Sequence, residues 1–243
     1  MKLQGKGVLV TGGGSGIGLG VALALAKEGC RVLITGRDEA KLKKAASEHT
    51  GENSILTRSC NVASRDDVNA TVAWAIQAVG QLDIVVHSAG VNVLKRKMCD
   101  LAPSDFDDVL ATNCTGFFNI LHATLPGMRE RKDGLVISIS SIAGKRALPL
   151  GGPAYVASKF AATGLATCVG LEERANGIRI TSIYPGEVET PLLEKRAVPV
   201  PMEKRKQMVH PEDIGHCVVA LAQLPANVIV PELIITPLYQ EYM

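Results

Sequence analysis

The run Gly7-Val8-Leu9-Val10-Thr11-Gly12-Gly13-Gly14-Ser15-Gly16-Ile17-Gly18 decides how this chain folds. Its first part, Gly7 to Thr11, is a short apolar run bounded by glycines, the mark of a strand buried on both faces. Leu19 to Glu28 then reads as a helix that stops at Gly29. Glycines between a first strand and a first helix let the backbone approach a pyrophosphate, which rests on the helix N-terminus. A plain glycine-rich turn is the simpler reading, but the strand before and the helix after are the context the phosphate reading requires. The spacing, Thr-Gly-x-x-x-Gly-x-Gly, is one residue off the common dinucleotide fingerprint.

Outward from this run, strand and helix alternate. Arg31 to Thr35 predicts a second strand ending in Gly36-Arg37-Asp38, with Asp38 capping a helix from Glu39 to His49. Ile55 to Cys60 predicts a third strand. Ser64 to Val79 predicts a helix with its apolar stripe at Val68, Val72, Ala75, Ile76 and Val79 and with Trp74 as packing. Leu82 to His87 is the fourth strand, followed by Ser88-Ala89-Gly90 and a long helical region, Ser104 to Arg131, interrupted at Pro126-Gly127. Leu135 to Ile139, a helix from Ala154 to Asn176 ending at Gly177, and Ile178 to Ile183 follow. His210-Pro211-Glu212-Asp213 opens the last helix, and Val228 to Ile235 is the last strand. The expected fold is α/β: one domain over residues 1–243 built on a doubly wound, mostly parallel seven-stranded sheet with helices on both faces. Ligands of such sheets bind beyond the carboxyl ends of the strands, near the switch in strand order.

Composition agrees. Of 243 residues 47% are hydrophobic and only 4% aromatic, enough for a full core rich in small aliphatic side chains. A formal charge of +2 carries no nucleic-acid or membrane footprint. Met1 to Gly7 runs into the first strand without an apolar signal segment, and no window approaches eighteen uncharged apolar residues. The six cysteines are scattered with no metal spacing, and the grouping of His210, His216 and Cys217 reads as incidental on a helix. These features predict a soluble cytoplasmic protein with no metal.

Chemistry concentrates in Tyr155-Val156-Ala157-Ser158-Lys159 and in Ser141 upstream. Tyrosine and lysine four apart share one helix face, and a fixed cation beside a phenol favours the phenolate. A hydroxyl such as Ser141 holds a substrate oxygen against that phenol, which gives a proton-transfer site for an alcohol and a carbonyl. By itself the pair also reads as an exposed helix contact. At the end of the second strand a carboxylate accepts ribose hydroxyls and an arginine clasps a 2′-phosphate. Gly36-Arg37 therefore points to NADP(H) rather than NAD(H).

In this order, TGGGSGIG, HSAG, NCTG, SSIAG, YVASK and YPGEVET strongly resemble the short-chain dehydrogenase/reductase family over residues 5–237. The resemblance implies Tyr155 as general acid/base, Lys159 as the residue that lowers its pKa and binds the nicotinamide ribose, Ser141 as the substrate-orienting hydroxyl and Asn113 as a water-holding member of a proton relay to Lys159. Ser140 is the competitor for Ser141, and the position immediately before Ile-Ala-Gly favours Ser141. It implies cofactor contacts at Gly12, Gly14, Ser15, Gly16, Ile17, Gly18, Arg37, Asn61, Val62, Ala89, Gly90, Tyr155 and Lys159, with Pro185, Gly186, Val188 and Thr190 at the nicotinamide end. Three departures stand out. His87-Ser88 replaces an Asn-Asn pair, so His87 reads as a structural substitute. Asn61 replaces an aspartate at the adenine. Pro231 to Pro237 lacks the ending of 3-oxoacyl-carrier-protein reductases, which, with Gly151-Gly152-Pro153, turns the expectation to small carbonyls or 3-hydroxy and 3-oxo acids.

The substrate is expected under a Pro-broken lid at about 188–208. Lys195, Arg196, Lys204, Arg205, Lys206, Lys95-Arg96-Lys97 and Lys145-Arg146 form a basic rim that favours an anion, unless Glu187, Glu189, Glu194 and Glu203 balance it. Arg146 is the candidate anion contact. Small residues at Ala157, Ala161, Gly164 and Cys168 suit either close packing on the sheet or a helix pairing across a homodimer within a tetramer, which the resemblance implies. The competing reading of the whole chain is a non-catalytic NADP-binding sensor or scaffold on the same fold.

Overall fold

The computed structural model describes residues 3–51, 53–196 and 198–241. Seven strands, β1 (Gly7–Thr11), β2 (Arg31–Gly36), β3 (Leu56–Ser59), β4 (Ile84–His87), β5 (Gly134–Ile139), β6 (Ile178–Pro185) and β7 (Glu232–Ile235), form one sheet in the order β3-β2-β1-β4-β5-β6-β7. Every pairing is parallel. The order reverses between β1 and β4, so the crevice at their carboxyl ends is the switch point.

Alternation along each strand divides the core in two. Val8 and Val10 of β1, Val86 of β4 and Ile137 of β5 face α1 (Gly16–Lys27) and α8 (Pro211–Gln223), through Val21, Leu25, Ile214 and Val218. Leu9, Val85 and Val136 face the opposite layer, α3 (Arg65–Val79), α5 (Gly116–Arg131) and α6 (Pro153–Glu172), through Val72, Phe117, Ile120 and Ala162. With both faces covered, β1 and β4 are buried at every position, which is why they read as unbroken apolar runs. The remaining helices are α2 (Glu39–Ala46), α4 (Pro103–Leu110) and α7 (Met202–Arg205). Asp38 accepts from the Lys41 N–H at 3.0 Å and caps α2 as expected.

The differences from the sequence expectation are local. The break in the long helical region falls at a π-turn, Ala111–Thr115, and α5 continues through Pro126. Leu125 and Met128 are buried on either side of that proline, and tertiary packing of an apolar face outweighs one lost backbone bond. In α3 the inward stripe takes Thr71 in place of Ile76, which is exposed. β7 begins only at Glu232. The helix over Pro153–Asn176 has the length and mean hydropathy, 1.2, of a membrane span, yet it packs on β6 and α4 with Lys159 buried in its inner face. The inner stripe is Ala154, Ser158, Ala162, Ala166 and Gly170, whereas Ala157, Phe160, Ala161, Gly164, Cys168 and Leu171 are exposed on the opposite side.

Helices α1 and α8 approach closely because Gly20 lets them. A Cβ at Gly20 would stand 2.6 Å from the Pro211 carbonyl. Gly20→Ala is therefore expected to lower stability by about 1–3 kcal/mol, seen as a lower denaturation midpoint with an unchanged slope.

Candidate active site

At the switch point the loops after β1 and β4 touch. Gly12 has φ +68°, and a Cβ there would lie 2.8 Å from the Ala89 backbone. Glycine alone meets both demands. Gly13 donates its N–H to the Thr35 carbonyl at 3.1 Å, and Ser15 leads into α1 in extended conformation. The first turn of α1, from Gly16 through Ile17 and Gly18, carries no acidic residue, so its N–H groups and dipole suit a phosphate. Gly16 reaches the Thr190 side chain, which a Cβ would meet at 3.2 Å. At the far end Arg37 is exposed after β2, and its carbonyl accepts from the Ser59 hydroxyl at 3.1 Å. Asn61 stands beside it after β3, its side-chain oxygen accepting from the Ala63 N–H at 3.2 Å, with Val62 buried against Gly116. This row of backbone donors, one exposed guanidinium and an amide acceptor has the chemistry to hold an anionic dinucleotide.

At the other end Asn113, Ser141, Tyr155 and Lys159 converge. The π-turn aims Asn113 inward: its Oδ1 accepts from Val91 N–H at 2.8 Å, and its Nδ2 donates to the Val91 carbonyl at 3.0 Å and the Ser158 hydroxyl at 2.9 Å. Gly90 lies over this corner, with both Asn113 Oδ1 and Lys159 Nζ 3.6 Å from where its Cβ would be. Lys159 is buried and donates to the Ile139 carbonyl at 3.0 Å. Burial pushes its ammonium down to about 8. Ser141 accepts from the Ala143 N–H at 3.1 Å, and Ser140 turns instead to Thr163 at 3.5 Å.

The phenol does not follow the simple expectation. Burial raises Tyr155 above its ordinary pKa, while a hydrogen bond with Ser141 and the charge of Arg96 pull it down. Lys159 Nζ, 5.7 Å from the ring centroid, is turned to Ile139. Arg96 thus joins Lys159 as a cation beside the phenol, because the helix that aligns Tyr155 and Lys159 also buries the lysine beneath the strand end.

His87 takes a structural place. Thr11 Oγ1 accepts from the Ala89 N–H at 3.1 Å and shares a second hydrogen bond with His87 Nδ1, also at 3.1 Å, whose direction the imidazole tautomer sets. Its ring stacks on Phe117, and burial, with the charge of Lys159, holds it near 3 and therefore neutral.

Beyond Tyr155 opens a cavity of about 170 Å³ whose wall includes Ser141, Ile17, Pro185, Gly186, Val188 and Thr190, all expected from the sequence. Asn92, Arg96, Arg196 and Gln240 share that wall. Asn92 and Gln240 carried no motif. Asn92 ties the loop after β4 to Gly151 at 3.0 Å, and Gln240 accepts from the Glu187 N–H at 2.8 Å, contacts between segments distant in sequence. Arg146, the expected anion contact, is exposed and absent from the wall, whereas Arg96 lines it. Much of the basic rim is balanced: Arg196 and Lys204 pair with Glu187, Arg205 with Glu189, Lys206 with Glu203 and Lys145 with Glu232. The Lys195 side chain and Ala197 lie outside the described residues. Burial alone would raise Glu187, but bonds from Lys204, Arg196 and Tyr239 hold it near 2. Among the described residues no three His, Cys, Asp or Glu side chains gather at a metal-binding distance.

The short chain dehydrogenase family matches residues 6–199. This chain belongs to the short-chain dehydrogenase/reductase family. It is thus an oxidoreductase. An uncharacterized oxidoreductase, MW2403, of Staphylococcus aureus (strain MW2) is 32% identical over 235 residues, 97% of this chain and 98% of its own length. Glycine betaine reductase ATRR of Emericella nidulans is also 32% identical, over 241 residues, but there the match spans 19% of the longer protein and 97% of this chain. Among solved structures, the closed form of serine dehydrogenase complexed with NADP+ superposes with a TM-score of 0.87 at 28% identity, covering 97% of this chain and 96% of that one.

Lys159 makes a prediction about this dehydrogenase fold that is independent of turnover. Below pH 8 folded and unfolded chains both hold its proton, and the folded state bears the full cost of burying the ammonium. Between pH 8 and 10.5 the unfolded chain binds more protons, so that cost fades as pH rises. Lys159→Met is expected to be more stable than wild type at pH 7, by up to about 3 kcal/mol, with the advantage shrinking toward pH 10.5 in denaturant titrations.

Proposed function

We propose that this protein is an NADP(H)-dependent oxidoreductase that interconverts a small carbonyl compound and its secondary alcohol. The observation that carries the reading is the placing of Ser141 and Tyr155 together on the wall of one cavity, beside a buried lysine. A bound nicotinamide supplies or accepts the hydride at such a site. Ser141 holds the substrate oxygen, and Tyr155 gives that oxygen its proton in reduction and takes it in oxidation. Lys159 faces the Gly90 corner, where a nicotinamide ribose is expected, and passes protons toward Asn113. Both amide hydrogens of Asn113 are committed, so a relay water belongs on its main chain, where a π-turn redirects carbonyls from the helical ladder.

NADP(H) is favoured over NAD(H) by exposed Arg37 after β2, with no carboxylate at Gly36, and by the NADP+ in the serine dehydrogenase complex. Asn61 and Val62 take the adenine end. A cavity of about 170 Å³ suits a small carbonyl or a 3-hydroxy or 3-oxo acid better than a carrier-protein thioester. Residues 188–208 serve as the lid of a single catalytic unit, cytoplasmic and working as a homodimer or homotetramer. The apolar outward face of α6, with Phe160 and Leu171 exposed around Gly164, supports the oligomer.

The test follows NADPH and NADH absorbance against ketones, aldehydes, 3-oxo acids and 3-oxoacyl thioesters. NADPH-dependent turnover that Tyr155→Phe abolishes is expected, and Arg37→Gln should cut the NADPH preference by about 10- to 100-fold. Equal turnover by wild type and Tyr155→Phe would sink the mechanism. Tight NADPH binding by wild type with no turnover of any substrate would point to a sensor. A second experiment addresses assembly. Gly164 has nothing within 4 Å of its Cβ position, so Gly164→Glu is tolerated within one protomer and even favours the helix. Light scattering is expected to show wild-type oligomers reduced to monomers by this substitution.

A further inference from the structure

The cavity wall carries an excess of positive charge that the proposed reaction does not use. Arg96 is fixed there by two main-chain carbonyls, Nε donating to Val93 at 3.0 Å and Nη1 to Leu150 at 3.1 Å. Arg196 reaches the same wall from the lid, largely buried, with Nη1 2.8 Å from Glu187 Oε1. That carboxylate does not cancel its surroundings, because Lys204 also sits 2.8 Å from its other oxygen. Arg205 pairs with Glu189, and among the described residues lining the cavity Glu187 is the one carboxylate. The two guanidinia on the wall oppose each other: burial, then the charge of Arg196, holds Arg96 below its ordinary pKa. Arg96 is also the charge that reaches the Tyr155 phenol. A small anion entering beside Tyr155 meets two planar, pre-positioned donors and relieves their repulsion.

We infer that Arg96 and Arg196 seat a carboxylate of the substrate, so that the alcohols and ketones handled here are small hydroxy and oxo acids. The inference rests on the oxidoreductase reading and narrows it. Carboxylate is preferred to a phosphate ester because the cavity, at about 170 Å³, must hold both the reacting carbon and the anion. The two arginines come from different segments of the chain, Arg96 from the loop after β4 and Arg196 from the lid. The anion thereby also ties the lid to the body once it is bound.

The experiment compares the NADP-loaded protein on 3-hydroxybutyrate and on its methyl ester, with acetoacetate binding measured in parallel by calorimetry. Wild type is expected to favour the acid by about 10- to 100-fold in kcat/KM. Arg96→Gln is expected to collapse that ratio at least about tenfold, mainly through KM of the acid, and to weaken acetoacetate binding equally. Arg96→Lys should recover part of both effects, Arg196→Gln should show a smaller loss, and exposed Arg146→Gln should leave the ratio at the wild-type value. An acid-to-ester ratio near one in wild type, a ratio unmoved by Arg96→Gln, or a stronger response to hydroxyacetone phosphate than to acetoacetate would overturn the inference. If nothing on the panel turns over but acetoacetate binds in an Arg96-dependent way, the carboxylate seat stands and the oxidoreductase reading falls. If neutral ketones turn over with no preference for acids, the reverse holds.

Discussion

A protonated amine buried at the carboxyl ends of the central strands is the constraint on which this site depends. Lys159 has one carbonyl partner, from Ile139, and lies where solvent does not reach. Such a group destabilises the fold unless its surroundings are fixed well enough to offset it. The surroundings are accordingly tied down from three directions. β5 supplies the carbonyl, the π-turn fixes Asn113 on Val91, and the Thr11–His87 contact joins the ends of β1 and β4. Polar side chains that look like candidate catalysts are in part the scaffold that keeps one ammonium in place.

Electrostatics on the lid side work differently. There charge is plentiful but mostly exposed or paired, and exposed pairs contribute little to stability. Their effect is positional. Glu187 gathers Arg196, Lys204 and Tyr239 from the lid and the C-terminal segment, and Gln240 closes the same corner by accepting from the Glu187 N–H. Together with the buried side chains of Val188, Leu193 and Met208, this largely buried carboxylate gives the segment a definite place over the cavity.

Much of this was legible along the chain. Gly7 to Gly18 contains a strand, a turn and a helix start, each with its own chemical signature, and the alternation after it leaves little choice but a parallel sheet. The positions of Ser141, Tyr155 and Lys159 follow from strand ends and helix spacing, which are local properties. Boundaries were read less well where packing decides them. Pro126 lies inside α5 because Leu125 and Met128 are buried around it, and Ile76 faces solvent because Thr71 is turned to the sheet. The small-residue run of α6 left two readings open. The folded helix shows that the face used by the sheet is the stripe of Ala162 and Ala166, with the small-residue run exposed on the other side.

By itself, then, the sequence determined the sheet, its switch point and the grouping of Ser141, Tyr155 and Lys159 at one strand end, because these rest on periodicities of two and 3.6 residues and on motifs confined to a few neighbouring positions. Only the tertiary structure decided which cations line the cavity. Arg96, Arg146 and Arg196 look alike in a list of basic residues. Two are brought to the cavity and one is left in solvent. The reason is that a long side chain on a loop is placed by carbonyls and carboxylates contributed by distant parts of the chain, Leu150 for Arg96 and Glu187 for Arg196.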